Sequence, residues 1–268
     1  MSRTPLPVCA FDGACDAETA RVLARDAELL AAKRRGATYW RAIDGEPSCG
    51  LERLALELAR FHVETLSLDG VAGVEWWVQT RGCDGSDGGG SILFHYDKDE
   101  VAYERLGVMR CPVLSTATYL RADAGSAPLA IFDPQFAALA TPAVGKHVAF
   151  DGAALHGVPA ELGALFHDEV SLGGRRVSLL ANLWDREPVG AHAADGSLEL
   201  GLSDARAAPR LTRAPAAFDD GGGQRRLRLS NDVYRDATPP LPLAGRGDRD
   251  RAARQRRGAR AGFLVFRM

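Results

Sequence analysis

The segment FHYDKDE, residues 94–100, places a histidine and three acids beside an apolar run. Residues two apart on a strand point to one face and lie roughly 6.6 Å apart along it, so His95 and Asp97 can reach a common point. An imidazole nitrogen and a carboxylate oxygen bind a metal ion through bonds of about 2 Å. On such a strand Asp99 lies roughly 13 Å from His95, out of reach, and Glu100 has the opposite parity. Taken alone, a histidine and an aspartate in this pattern are more often a solvated surface strand, so the interpretation as a metal site depends on further ligands downstream.

A second histidine is needed, because one histidine and one carboxylate leave a metal under-coordinated. Two histidines and a carboxylate hold non-haem Fe(II) with open positions for reactants. We favour His156, which follows a strand pattern and an Asp-Gly turn in FDGAALHGVP, and keep His147, at the start of HVAF, as the alternative. For the remaining histidines we expect packing or solvent-facing roles; these are His62, His167 and His192.

The elements that must position these residues change character along the chain. Residues 16–35 and 51–61 have apolar positions at spacings of three and four, which predicts two helices, with Asp16 as a cap for the first. From residue 71 onward, short runs rich in β-branched and aromatic residues alternate with Gly, Pro and Asp. These runs are VEWWVQT, ILFHYD, LSTATYL, PLAIFD, HVAF and RVSLLANLW. Since no helices long enough for parallel crossovers alternate with them, we expect a mainly β jelly roll behind N-terminal helices.

Composition fits an ordinary globular protein: 268 residues are 46% hydrophobic and 25% charged, with a formal net charge of -2. No run approaches the roughly 18 apolar residues of a membrane span, and the first residues lack the apolar segment of a secretory signal. We therefore expect an intracellular, cytoplasmic protein with no membrane association. The glycine-rich run at 82–90 lacks the Gly-Lys-Ser/Thr of a phosphate-binding loop.

The order HxD, a distant histidine and an arginine on a late strand resembles the iron(II)- and 2-oxoglutarate-dependent dioxygenases, over roughly residues 71 to 185. The resemblance implies a double-stranded β-helix, or cupin-like core, in which His95, Asp97 and His156 bind Fe(II). It implies that Arg176, with Ser178 two residues on, binds the distal carboxylate of 2-oxoglutarate. It further implies consumption of O2, release of succinate and CO2, and hydroxylation of a C–H bond, with ascorbate as a candidate reductant.

Two features depart from the family pattern. His156 and Arg176 are separated by more residues than is common in the family, which an inserted loop at 160–174 would explain. The RxNxxxxxR pattern of the nucleic-acid demethylases in the family is missing, which disfavours a nucleobase substrate. The prime substrate, a protein side chain or a small molecule, is not identified by the sequence.

Strand parity distinguishes Arg176 from its neighbour Arg175. Arg176 and Ser178 share a polar face, whereas Val177 and the alternate residues after it form an apolar face that packs against helices. A buried guanidinium is costly unless it is paired, and a bidentate carboxylate is its best partner. We therefore expect Arg176 inside the barrel and Arg175 at the solvent.

Aromatic residues are further candidates for the site. The hydroxyl of Tyr119 could donate to the 2-oxoglutarate carboxylate, with ordinary core packing as the alternative. Trp76 and Trp77 point to opposite faces of their strand. One of them is expected in the core and the other at the mouth of the site.

The chain divides into three expected parts: an N-terminal helical layer at 1–70, the catalytic core at 71–185, and a C-terminal extension at 186–268 that belongs to the same domain or is partly mobile. Three other functions stay open. They are a cupin-type metal enzyme that does not use 2-oxoglutarate, a non-catalytic β-sandwich binding module, and a nucleic-acid binder. The last would use residues 245–262, with seven arginines against two aspartates. The net charge and the lack of interleaved aromatics in that segment disfavour it.

Overall fold

The computed structural model describes residues 6–83, 91–132, 136–160, 162, 174–193, 201–213, 216–219 and 263–267. The helices are α1 (Ala17–Lys33), α2 (Gly50–Thr65) and α3 (Glu100–Leu106). The strands are β1 (Cys9–Asp12), β2 (Tyr39–Ala42), β3 (Gly73–Gly82), β4 (Ile92–His95), β5 (Leu114–Ala122), β6 (Leu129–Phe132), β7 (Phe136–Ala140), β8 (His147–Asp151), β9 (Leu155–Val158), β10 (Arg175–Trp184), β11 (His192–Ala193), β12 (Thr212–Arg213), β13 (Ala216–Asp219) and β14 (Phe263–Arg267).

The strand order within two sheets defines the architecture. The large sheet has the order β11-β2-β3-β10-β5-β8-β1-β12, and the small sheet has the order β13-β14-β7-β6-β9-β4. From β3 to β10 the chain alternates between the sheets, except that β6 and β7 form a hairpin within the small one. The two four-stranded halves are β3-β10-β5-β8 and β4-β9-β6-β7, with antiparallel pairing. This is a double-stranded β-helix, so the predicted mainly β, jelly-roll class is confirmed.

Helices α1 and α2 cover the outer face of the large sheet. The side chain of Asp16 accepts a hydrogen bond from the backbone N–H of Thr19 and caps α1, as its position predicted. The alternating apolar residues of β10 pack beneath the helices, so the assignment of that face to helix packing is confirmed. This core cluster includes Leu23, Leu30, Leu51, Leu54, Val177, Leu179, Ala181 and Leu183.

A second apolar cluster fills the space between the two sheets. It joins Ala117, Tyr119 and Val148 of the large sheet to Leu129 and Ile131 of the small sheet. Burial of these faces fixes which side chains of each strand point inward, because a slip of one residue would move every one of them to the other face.

The strand through FHYDKDE is shorter than its pattern predicted. β4 ends at His95, and Asp99 is the N-cap of α3, a helix missing from the sequence-based assignment. The Asp99 side chain accepts hydrogen bonds from the backbone N–H groups of Ala102 and Val189, at 2.9 and 3.0 Å. An aspartate that satisfies the first turn of a helix favours a helix start over strand continuation. Asp99 is therefore a structural residue.

Strands from both ends of the chain join this core. β1 and β2, before residue 71, pair with β8 and β3 of the large sheet, and β14 pairs with β7 of the small one. Within the run GFLVFRM, Phe263–Arg267 thus return to the body of the fold, as their strand pattern predicted. The arginine-rich segment 245–262, His167 and most of residues 160–174 lie outside the described residues. The expected boundaries between the three parts of the chain, at residues 70 and 185, remain predictions.

None of the helices in the described ranges has the length and apolar character needed to cross a membrane.

Candidate metal and cosubstrate site

Neighbouring strands of the small sheet bring two histidines together. His95, the last residue of β4, is paired with His156 on β9, and Asp97 follows just beyond the end of β4. The Oδ1 atom of Asp97 lies 3.6 Å from Nε2 of His95 and 3.6 Å from Nε2 of His156. One atom from each of the three side chains lies within 4.8 Å of the others. The structure thus places the three predicted ligands around one point.

Hydrogen bonds orient each of the three side chains. Nδ1 of His95 lies 2.8 Å from the carbonyl oxygen of Leu93, and Nδ1 of His156 lies 3.0 Å from that of Ala154. Because a carbonyl can only accept, each Nδ1 carries the hydrogen and Nε2 of the neutral ring keeps a free lone pair. Such outer partners fix the tautomer and the ring orientation of metal-binding histidines.

The carboxylate of Asp97 is oriented in the same way. Its Oδ2 atom accepts a hydrogen bond from Oγ of Ser115 at 2.7 Å, which leaves Oδ1 facing the two histidines. Ser115 was not among the predicted site residues, although its place on the strand could have indicated it. Ser115 and Tyr119 are four residues apart on β5, an even number, and therefore face the same side of the sheet.

The donor atoms fit a metal ion better than a hydrogen-bonded cluster. The 3.6 Å separations from Oδ1 to each Nε2 are longer than a normal hydrogen bond. Two ligands of one ion, each bonded at about 2.0–2.2 Å, are separated by a distance of this order. Two imidazoles and one carboxylate are the donor set of the facial triad that holds non-haem Fe(II).

The electrostatics of the site favour an ionised carboxylate beside a neutral ring. Burial raises the pKa of Asp97, but the nearby His156 and His95 outweigh that effect and hold it below its usual range. Burial lowers the pKa of His156, in spite of the opposing charge of Asp97. For His95, burial lowers the pKa, but the negative charge of the nearby Asp97 carboxylate outweighs the effect of burial and raises the pKa overall. Since metal binding needs neutral imidazoles, it weakens as the pH falls into the histidine range.

His147, the alternative ligand, lies elsewhere. Its Nε2 is 2.8 Å from Nε2 of His62 and its Nδ1 is 2.8 Å from Oγ1 of Thr118, so both ring nitrogens are engaged. The two imidazoles are stacked and buried, and Phe11 contacts both rings. Of the two candidate histidines, only His156 is brought to His95 and Asp97.

A cavity of about 100 Å³ lies between the sheets at this point. Its walls include the three candidate ligands and, from the large sheet, Arg176, Ser178 and Tyr119. The structure thus brings all six predicted site residues to one cavity. Trp77 and Gln79 also line it, whereas Trp76 is buried in the core and stacks on Tyr39.

Arg176 places a guanidinium group at the cavity wall, and no carboxylate of the described residues forms an ion pair with it. Only 4% of the residue is exposed, whereas the side chain of Arg175 is 56% exposed, as strand parity predicted. The Nη1 group of Arg176 donates to the carbonyl oxygen of Ala127 at 3.1 Å, and its Nη2 is buried with no hydrogen-bond partner in the described part of the chain. Burial lowers the pKa of Arg176 and raises the pKa of Tyr119 to about 12. The Tyr119 hydroxyl therefore stays protonated and can donate.

Comparison with known proteins gives distant structural likenesses. No family model matches the sequence, and no curated protein matches it. A prolyl-4-hydroxylase from Pseudomonas putida is 16% identical, with a TM-score of 0.46 over 67% of this chain and 93% of that one. A viral collagen prolyl hydroxylase from Paramecium Bursaria Chlorella virus-1 is 12% identical, with a TM-score of 0.40 over 68% of this chain and 96% of that one. Iron-bound HygX from Streptomyces hygroscopicus is 10% identical, with a TM-score of 0.36 over 75% and 92%. Similarity at this level defines neither the family nor the substrate of this chain.

Proposed function

We propose that this protein is an Fe(II)- and 2-oxoglutarate-dependent dioxygenase that hydroxylates a C–H bond of a prime substrate. The observation that carries the proposal is the combination of two features in one cavity. The first is a cluster of two imidazoles and a carboxylate, and the second is the buried guanidinium of Arg176, whose Nη2 has no partner among the described residues. A metal and a dicarboxylic cosubstrate would satisfy both.

The metal would be held by Nε2 of His95, Nε2 of His156 and Oδ1 of Asp97. Asp97 offsets one of the two charges of the ion, and Ser115 keeps its second oxygen engaged. A bound Fe(II) supplies the activation of O2, which couples oxidation of 2-oxoglutarate to succinate and CO2 with hydroxylation of the substrate. Ascorbate is the reductant we would supply in the assay.

Arg176 would bind the distal carboxylate of 2-oxoglutarate. A guanidinium binds a carboxylate through charge-assisted hydrogen bonds, and burial of Arg176 makes an unpaired state expensive. The hydroxyls of Ser178 and Tyr119, which line the same cavity, would add donors to that carboxylate. A cupin-type enzyme that does not use 2-oxoglutarate has no need of such an arginine, which is why we rank it second.

The first test measures cosubstrate binding without turnover. Protein loaded with Mn(II), a redox-inactive substitute for Fe(II), is titrated with 2-oxoglutarate and followed by calorimetry and by the thermal unfolding midpoint. We expect saturable binding that requires the metal and is lost in Asp97→Ala. His192→Ala, at an exposed histidine, serves as the control and should bind normally. Failure of the wild-type protein to bind 2-oxoglutarate in the presence of metal would refute the proposal.

The second test measures the half-reaction. The protein is incubated with Fe(II), ascorbate, O2 and 2-oxoglutarate without a prime substrate, and succinate is quantified. We expect slow succinate formation that disappears in His156→Ala. A binding module would retain no iron under anaerobic purification, and a cupin-type enzyme would retain iron but form no succinate. Candidate protein side chains and small molecules can then be screened by their stimulation of succinate release.

A further inference from the structure

The cavity of the candidate site opens between β3 of the large sheet and β4 of the small one. Its lining residues on β5, β6, β8 and β9 are buried, whereas those on β3 and β4 are partly exposed. The exposed group consists of Trp77, Gln79, Ile92 and His95, and the side chain of His95 is 38% exposed. A prime substrate that approaches the metal would therefore pass between β3 and β4.

The second half of β3 has an open outer edge in the described part of the chain. Strand β10 pairs with all of β3, from Gly73 to Gly82, but β2 pairs only with residues 73–76. The uncovered stretch, residues 77–81, contains no proline, and its charged residue, Arg81, is at the far end. Prolines, charges and short or irregular strands commonly protect a sheet edge against a further strand. The edge of β3 is thus weakly protected, whereas β4 has only four residues and pairs irregularly with β9.

The backbone groups of Val78 and Thr80 point to this open edge. In an antiparallel sheet the N–H and C=O of one residue point to the same neighbouring strand, and successive residues point to opposite neighbours. The N–H of Cys83 donates to the carbonyl oxygen of Gly174 on the β10 side, and the carbonyl oxygen of Ala72 accepts on the β2 side. Odd-numbered residues of β3 therefore face β10, and even-numbered residues face outward. The four outward groups of Val78 and Thr80 have no hydrogen-bond partner among the described residues.

An extended peptide backbone matches these four groups. A strand that adds to a sheet edge bonds through its own N–H and C=O groups to every second residue of that edge. Its side chains alternate between the two faces of the sheet. Residues of the added strand that lie opposite Trp77 and Gln79 would point to the cavity face, because paired residues share a face. A small molecule has no comparable row of alternating donors and acceptors.

We propose that the prime substrate is a flexible segment of a protein, which binds as an added strand on the outer edge of β3 and presents one side chain to the metal. This inference rests on the proposed function, and it assigns the substrate to the class of protein side chains rather than small molecules. The peptide site itself needs neither iron nor 2-oxoglutarate to be detected.

Hydrogen exchange of the metal-free protein, measured by NMR, tests whether the edge is open. The amide hydrogens of Val78 and Thr80 should exchange at least roughly tenfold faster than those of Trp77 and Gln79, which point to β10. Equal protection of the four amides would show that the edge is already covered, and would overturn the proposal.

The second test uses random linear peptides displayed on phage and selected on protein supplied with Mn(II) and 2-oxoglutarate. Selected peptides should slow the exchange of the Val78 and Thr80 amides. Thr80→Pro removes one outward N–H, which is a position where a strand tolerates proline. It should weaken peptide binding by roughly tenfold or more. Thr80→Val keeps the N–H and a β-branched side chain, so it is the matched control and should bind the peptides as the wild type does.

Titration of each Mn(II)-loaded variant with 2-oxoglutarate reports whether its fold and metal site are intact. If Thr80→Pro does not fold, peptides with N-methylated backbones replace it, and they should bind the wild type more weakly by a similar factor. The proposal is overturned if no peptide is selected, if Thr80→Pro binds as well as the wild type, or if bound peptides leave the two amides unprotected. Peptide binding on β3 in a protein that does not bind 2-oxoglutarate would support the peptide site and refute the dioxygenase assignment, so the two failures are distinguishable.

Discussion

The stacked pair His62–His147 should make the stability of the fold depend on pH. Both rings are buried, with 1% and 0% exposure, and no carboxylate is within ion-pair distance of either ring in the described part of the chain. Burial lowers the pKa of His62 from 6.5 to about 4, and burial together with His62 lowers the pKa of His147 well below 6.5. Both rings are therefore neutral in the folded protein near neutral pH.

The sign of the effect follows from proton linkage. Below pH 6.5 the unfolded chain binds protons that the folded chain cannot accept until the pH approaches about 4. The stabilisation is thus complete above pH 6.5 and is lost as the pH falls through this window. At about 1.4 kcal/mol for each pH unit, the free energy of unfolding loses about 2 kcal/mol between pH 7 and pH 5 on account of His62. The lowered pKa of His147 adds a loss in the same direction. By pH 4 the loss due to His62 reaches about 3 kcal/mol.

Urea unfolding of the metal-free protein at about pH 7 and about pH 5 measures this loss. His62→Phe removes one titrating ring, so its loss between the two pH values should be smaller than that of the wild type by about 2 kcal/mol. At pH 7 the variant should be less stable by about 1–3 kcal/mol, because Nε2 of His147 is left without its partner. His192→Gln, at an exposed histidine, should leave both values unchanged. An identical pH dependence in wild type and His62→Phe would refute the assignment of neutral buried rings.

Replacement of His95, Asp97 or His156 by alanine should in each case abolish Fe(II) retention during anaerobic purification, while the circular dichroism spectrum stays native-like. His147→Ala should keep its iron. If His156→Ala kept its iron and His147→Ala lost it, the ligand would be His147. Arg176→Ala should weaken 2-oxoglutarate binding by about 2–5 kcal/mol, roughly thirtyfold to several-thousandfold, without loss of iron. Arg175→Ala should bind normally, and equal small effects of the two arginine variants in calorimetry would argue against 2-oxoglutarate. Ser115→Ala should weaken metal affinity by about 10–100-fold, because Oδ2 of Asp97 loses its hydrogen-bond donor. Competition with a metal-ion indicator measures this affinity. An unchanged affinity would contradict the orienting role of Ser115.

Much of the site could be predicted because strand parity is a local property. The side chains of His95 and Arg176 lie on the cavity face, and that of Arg175 lies at the surface, as two-residue periodicity required. The helix cap at Asp16 was predictable for the same reason, since a capping aspartate acts on a backbone amide three residues away.

The features that could not be predicted depend on contacts between distant parts of the chain. His62 and His147 are 85 positions apart and meet only because α2 packs on the outer face of the large sheet. The end of β4 was misassigned because an acidic run after a strand pattern does not reveal that Asp99 is a helix cap.

The positions of the site residues on the two sheets have a mechanical consequence. His95 and His156 are on the small sheet, Arg176 is on the large one, and the walls of the cavity between them contain side chains of both. A dicarboxylate that bound the metal at one end and Arg176 at the other would therefore form a non-covalent cross-link between the two sheets. Local separation of the two sheets would then require the dicarboxylate to lose its contact with the metal or with Arg176. The barrel with a bound dicarboxylate would therefore open less readily than the empty barrel.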